Sequence, residues 1–193
     1  MRAIAIVNQK GGSGKTTTAV NLAAALVEKK KKVLLIDLDP QASASLWYGV
    51  KEKGRGLYKV FTEDGSLKEA IEETKIPGLF LAPSSPLLAG VEKALAQEVA
   101  SESILKKKVE EMGDPSWDYL LIDCPPTLGT LSLNALTLAQ EVLIPVEAHV
   151  MALHGLVQLL RTIQVVKQRL NPTLEITGIL PCRVDFRTNH SQE

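Results

Sequence analysis

Residues 7 to 18 read VNQKGGSGKTTT. Gly11, Gly12 and Gly14, with the small Ser13 between them, let the backbone curl so that successive N–H groups point inward at an anion. Lys15 places a point charge beside them, suited to the β- and γ-phosphates of a nucleoside triphosphate. The Thr16 hydroxyl is the natural ligand for the accompanying Mg2+, and Thr17 brings a further hydroxyl to the phosphates. Lys10 exceeds what such a loop needs. It is a second cation, five positions ahead of Lys15, and a solvated loop lysine is its plain reading. The generic phosphate-loop pattern asks for glycine at position 9, where this chain has Gln9. Even so, the seven fixed positions of K-G-G-x-G-K-T-T would arise by chance in a chain of this size on the order of once in a million.

A phosphate loop needs acidic partners, and two stretches offer them. VLLIDLDPQ (33–41) carries Asp37 and Asp39, which fall on the same side of an extended chain because one residue separates them. Carboxylates at that place are costly to bury unless paired or coordinating, and in open α/β sheets the carboxyl ends of the strands are where ligands bind. Capping of the helix that follows Pro40 is the alternative for both. YLLIDCPP (119–126) delivers Asp123 in the same way, behind four apolar residues, as a Mg2+ ligand acting through water. Each stretch alone is weak; three strands aiming donors or carboxylates at one point are not.

Positioning them requires a particular alternation of elements. AIAIV (3–7), a helical segment over 16–30 and KVLLIDLD (32–39) make a strand-helix-strand unit that is parallel by construction. The loop follows a strand and opens a helix, so the helix dipole also favours anions there. Lys29 to Lys32 suit the carbonyl end of that helix as a solvated terminus, with a DNA patch as the other reading. Residues 49–66 are glycine-rich and charged, a region of loops and short elements. SLKEAIEETK (66–75) reads as a helix, GLFLAP (78–83) as a strand, and LAQEVASESILKKKVEEM (95–112) as one long amphipathic helix. Further strands follow at 118–123, 141–146 and 174–180, with helices near 131–139 and 152–170. Such apolar runs belong to strands covered on both faces. The expected fold is α/β, a three-layer arrangement in which helices flank a mostly parallel central sheet, in a single domain over 1–193.

Composition sets the outer bounds. The 193 residues are 45% hydrophobic, with 22 basic and 22 acidic residues, so net charge makes no case for nucleic acid or membrane, and any such binding needs a local patch. The apolar run after Arg2 is too short for a signal peptide or a membrane span, which reads as cytosolic. Cys124 and Cys182 lack metal-ligand spacing and read as free thiols.

The loop KGGSGKTT, the DLD at 37–39 and LLIDCPP together resemble the ParA/MinD superfamily of ATPases, with its deviant Walker A loop. The resemblance implies the P-loop NTPase fold, ATP and Mg2+ as cofactors, and roles for single residues. Lys10 reaches across a dimer interface to the phosphates held by the second subunit, neutralising charge on the departing γ-phosphoryl group as an arginine finger does. Asp39 orients the attacking water, while Asp37 supports the Mg2+ network. Pro125 and Pro126 stiffen a switch that Gly129 lets move.

Within the superfamily, residues 145–172 resemble ParA/Soj partition proteins, through Glu147, Ala152, Leu153, Gly155 and Leu156. That branch implies an ATP-dependent homodimer, non-specific DNA, hydrolysis stimulated by a ParB-like centromere-binding protein, and a cytoplasmic, nucleoid-associated location without membrane. DFRTN (185–189) resembles its DNA-contacting segment, so Arg187 is the candidate there, and an ordinary exposed arginine is the alternative. Arg183 and Asp185 fall where the family approaches the base. His149 and His154 have no metal partner in view. The likeness runs to about Asn189, short of the further helices and strand with which family members usually complete the base pocket. A MinD-like membrane-associated ATPase is the rival; it would need a basic amphipathic C-terminal helix, which the 193 residues do not contain. An iron–sulfur carrier would need bridging cysteines, and a catalytically dead module would not keep Lys15, Thr16, Asp39 and Asp123 together.

Overall fold

The structure, a computed structural model, describes residues 1–113, 116–147 and 150–184, with side chains left aside for 150–154. The elements run β1 (Arg2–Ile6), α1 (Lys15–Glu28), β2 (Val33–Asp37), α2 (Ser43–Tyr48), α3 (Gly56–Thr62), β3 (Glu72–Glu73), β4 (Leu79–Ala82), α4 (Val91–Ala94), α5 (Ile104–Glu111), β5 (Tyr119–Asp123), α6 (Thr130–Leu138), β6 (Glu141–Glu147), α7 (Val150–Arg169) and β7 (Glu175–Cys182). They build a seven-stranded sheet in the order β3-β4-β2-β5-β1-β6-β7. Every neighbouring pair is parallel except β3 with β4. This is the flanked α/β sheet that the alternation of elements predicts.

Side-chain alternation along the central strands feeds two separate cores. Ile4, Ile6, Val33 and Leu35 join Ala19, Val20 and Ala23 of α1 on one face. Ala3, Ala5, Leu34, Ile36, Leu120 and Ile122 face the other way, toward Leu57, Val91, Leu105 and Ala135 of α3 to α6. Because both faces are apolar, period-2 patterning disappears from the sequence and the strands read as continuous runs. β7 departs from that rule: Ile176 (40% exposed), Ile179 (48%) and Leu180 (39%) are open among the described residues, although their run looks like any other.

Two helical expectations are corrected. SLKEAIEETK forms only a 3-10 turn at Lys68–Ala70, after which Glu72 and Glu73 pair antiparallel with Leu81 and Phe80. The reversal is closed by Thr74, whose N–H donates to the Leu79 carbonyl and whose hydroxyl bonds Ile76 and Leu79, with Gly78 at φ 92°. Completing the sheet edge outweighs helix propensity. The helix expected over 95–112 is broken between Leu95 and Ser103. Ala100 turns left-handed at φ 57°, and α5 begins at Ile104. The cause is tertiary. Asn134 of α6 accepts from the Leu105 N–H at 2.9 Å and donates to the Ser101 carbonyl at 2.7 Å, satisfying helix-end groups that a continuous helix would satisfy itself. Lys29 to Lys32 lie exposed just beyond α1, as a solvated terminus should.

Since Asn134 is fully buried, removing it orphans both groups. Asn134→Ala should cost about 2–3 kcal/mol and lower the melting temperature by roughly 4–12 °C in a thermal denaturation. A loss under one degree would show that the break has another cause.

Candidate nucleotide site

The parallel register carries the chemistry to one edge. Asp37 at the end of β2 is level with Asp123 at the end of β5, and Ile6 at the end of β1 is level with Asp123 in turn. The glycine loop therefore leaves β1 beside both carboxylates. Gly12 (φ 75°) and Gly14 (φ 94°) sit in the left-handed region, which lets the loop wrap onto α1. A Cβ on Gly14 would also meet the Cys182 sulfur at 3.3 Å. Asn8, missed in the sequence, fastens the loop: its amide donates to the Pro145 carbonyl at 2.6 Å and its oxygen accepts from the Lys10 N–H at 2.9 Å. An asparagine two residues before a loop N–H is the usual sign of such a turn.

Above the loop opens a cavity of about 730 Å³, lined by Gly11, Gly12, Gly14, Lys15, Thr16, Thr17 and Asp39, by Trp47 of α2, by Pro126 after β5, and by Cys182 and Arg183 at the end of β7. That is ample for a nucleotide. Ser13 is buried, and its hydroxyl has no hydrogen-bond partner. Lys15 is also buried, its ammonium donating to the Lys10 carbonyl at 3.2 Å. Burial pushes that ammonium below its ordinary pKa, while the charges of Asp123 and Asp39 pull it back.

The two level carboxylates are treated differently. Asp37 accepts from the Ser45 N–H (2.9 Å), the Ser45 hydroxyl (2.7 Å) and the Asp39 N–H (3.2 Å). Ser45 lies in the first turn of α2, so Asp37 caps that helix from the strand end, as the alternative reading had it. Ser45 in turn accepts from the Ser84 N–H, and the Ser84 hydroxyl donates to the Asp39 carbonyl at 2.6 Å. Neither serine stood out in the sequence, and Ser84 reaches the site only because β4 lies beside β2. Burial lifts Asp37 to about 6, opposed by the Ser45 hydrogen bonds. Asp123 is fully buried with both oxygens unpartnered, the Thr16 hydroxyl facing it without closing a hydrogen bond. Burial, then the Asp37 charge, pushes it to about 7. A buried carboxylate without donors, next to a threonine hydroxyl and a phosphate cradle, fits a divalent cation held partly through water. Among the described residues no three His, Cys, Asp or Glu side chains cluster as a metal site, so other ligands must come from Thr16, phosphate and water.

Asp39 lines the cavity and accepts from the Gln41 N–H at 2.9 Å through Oδ1. Lys10 points away from its own loop: its ammonium pairs with Glu147 at the end of β6, which also accepts from Arg183 at 2.8 Å. Lys10, then Arg183, hold the Glu147 carboxyl below the usual carboxylate range. Glu147 mattered in the sequence only as part of a pattern.

Residues 1–176 match the AAA domain family. The sporulation initiation inhibitor protein Soj of Bacillus subtilis is 43% identical over 188 residues, 96% of this chain and 74% of the relative. The chromosome partitioning protein ParA of Myxococcus xanthus is 43% identical over 190 residues, 97% of this chain and 67% of the relative. The chain belongs to the ParA/Soj family of partitioning ATPases. Among solved structures, a cobyrinic acid a,c-diamide synthase from Mycobacterium smegmatis, with ADP and magnesium bound, superposes with a TM-score of 0.92 at 39% identity, covering 100% of this chain and 78% of its own.

Other family-derived expectations fare unevenly. Arg187, Asp185 and His149 lie outside the described residues, as do the side chains of Ala152, Leu153 and His154. Cys124 is a buried free thiol whose pKa burial drives well up, and Cys182 is free and half-buried beside Gly14. Among the described residues no helix is long and apolar enough to cross a membrane.

Asp37 and Asp123 bind protons more tightly folded than unfolded. The stability they contribute is complete below the unfolded value of 3.8 and is lost as pH rises through about 6 and 7. Without nucleotide or magnesium, Asp123→Asn should match the native chain at acid pH. At pH 8 it should be more stable, by on the order of 1–3 kcal/mol or several degrees of melting temperature. Parallel melting curves of the two chains across that range would contradict the assignment.

Proposed function

We propose that two copies of this chain close over two ATP molecules, hold DNA without sequence preference, and hydrolyse ATP to ADP and phosphate to let go. The observation that carries the reading is the meeting of Lys15, Thr16, Asp39 and Asp123 at one sheet edge while Lys10 stands outside its own cradle.

The glycine loop and Lys15 bind the phosphates, and Thr17 adds its hydroxyl. Thr16 and Asp123 would hold Mg2+, with Asp37 supporting them by fixing Asp39 and α2. When bound, the ion neutralises β- and γ-phosphate oxygens. Asp39 orients the attacking water, its carboxylate steadied through Gln41 and its backbone through Ser84. Lys10 of each copy serves the other's γ-phosphate, so the site is complete only when paired.

The name of the Mycobacterium smegmatis neighbour points to amide synthesis. The partition reading rests on the Bacillus and Myxococcus relatives and on Lys10. It brings with it a ParB-like partner that stimulates turnover, nucleoid association in the ATP state, and Arg187 as a phosphate contact on DNA. A MinD-like membrane role has no such support.

Blocking hydrolysis should trap the active form. With ATP, Asp39→Ala should elute as a dimer and retard plain duplex DNA, less so as salt rises; without ATP it should do neither. In the same background Arg187→Glu should weaken that retardation, and pelleting with anionic liposomes should stay at background. Monomer elution with ATP, or liposome binding in place of DNA binding, would overturn the proposal.

A further inference from the structure

Lys10 is exposed at 43% of its side-chain area, and its ammonium is paired with Glu147, itself 16% exposed. Both backbones are held for this meeting. Asn8 ties the loop to the carbonyl of Pro145, two residues before Glu147, and through its own oxygen fixes the Lys10 N–H. The other oxygen of Glu147 takes the Arg183 guanidinium at 2.8 Å. Arg183 adopts φ 54°, a left-handed turn uncommon for any residue other than glycine, and it also lines the nucleotide cavity.

One carboxylate thus serves two cations, and this changes what it costs to release one of them. A carboxylate that gives up its only cation loses more than one that keeps a second. We propose that Glu147 is the positioning residue of Lys10: in the unpaired chain it keeps the ammonium off its own phosphates and at the sheet edge, and Arg183 makes its release cheap. The proposal deepens the reading of Lys10 as a residue acting in the second copy, and rests on it for the release step alone.

Two substitutions should act in opposite directions, which a general loss of structure would not produce. In the chain without nucleotide, acylation of the Lys10 amine by a dilute anhydride, read site by site in a mass spectrometer, should be about threefold faster in Glu147→Gln. It should be slower than native in Arg183→Ala, where Glu147 belongs to Lys10 alone. In the Asp39→Ala background, Glu147→Gln should reach half-maximal dimer at a lower ATP concentration and Arg183→Ala at a higher one, after correction for each variant's affinity for a fluorescent ATP analogue. Native acylation rates in Glu147→Gln, or shifts of the same sign in both variants, would overturn the proposal. Opposite acylation shifts with no ATP-dependent dimer in any chain would uphold the hold on Lys10 and sink the dimer reading instead.

Discussion

Parallel pairing sets the ends of β2 and β5 level, and this puts two buried carboxylates side by side. Burial raises the proton affinity of both, and the charge of Asp37 raises that of Asp123 further. Most of the site is the answer to that problem. Asp37 is given three donors and becomes a structural anchor for α2 and the Asp39 turn. Asp123 is given none, which leaves both its oxygens open to a proton or a cation. Lys15, buried near Asp123 and Asp39, supplies only part of the compensation and is itself held below its ordinary basicity.

The same edge explains why the loop is built from glycine and anchored by asparagine. A cradle of N–H groups is useful only if it keeps its shape without its anion, and Asn8 supplies the fixed point by joining the loop to β6. From that joint the two lysines diverge. Lys15 folds inward over the loop, and Lys10 turns out to Glu147. A chain alone therefore holds a phosphate site with one cation in place and the second facing away.

Much of this was legible in the sequence. The strands other than β3, with α1, α6 and α7, follow from apolar runs and helical period, and Lys15, Thr16, Asp39 and Asp123 from motifs tied to strand ends. What stayed hidden depends on contacts between segments far apart in the chain. SLKEAIEETK has helical propensity but lies where the sheet needs an edge, and the 95–112 stretch is interrupted by an asparagine some thirty residues on. Ser84 matters only because β4 lies next to β2. Glu147 and Arg183 meet only because β6 and β7 end together. β7 shows the reverse failure, an apolar run that looks buried although, among the described residues, Ile176, Ile179 and Leu180 are exposed.

The central claim is that Lys10 belongs to the opposite site while Asp39 belongs to its own. Lys10→Ala and Asp39→Ala chains, each inactive alone, can be mixed in equal amounts and assayed for phosphate release. The account predicts recovery to about a quarter of native turnover, since half the randomly paired dimers would carry one complete site of two. A mixture no more active than its separate components would contradict it.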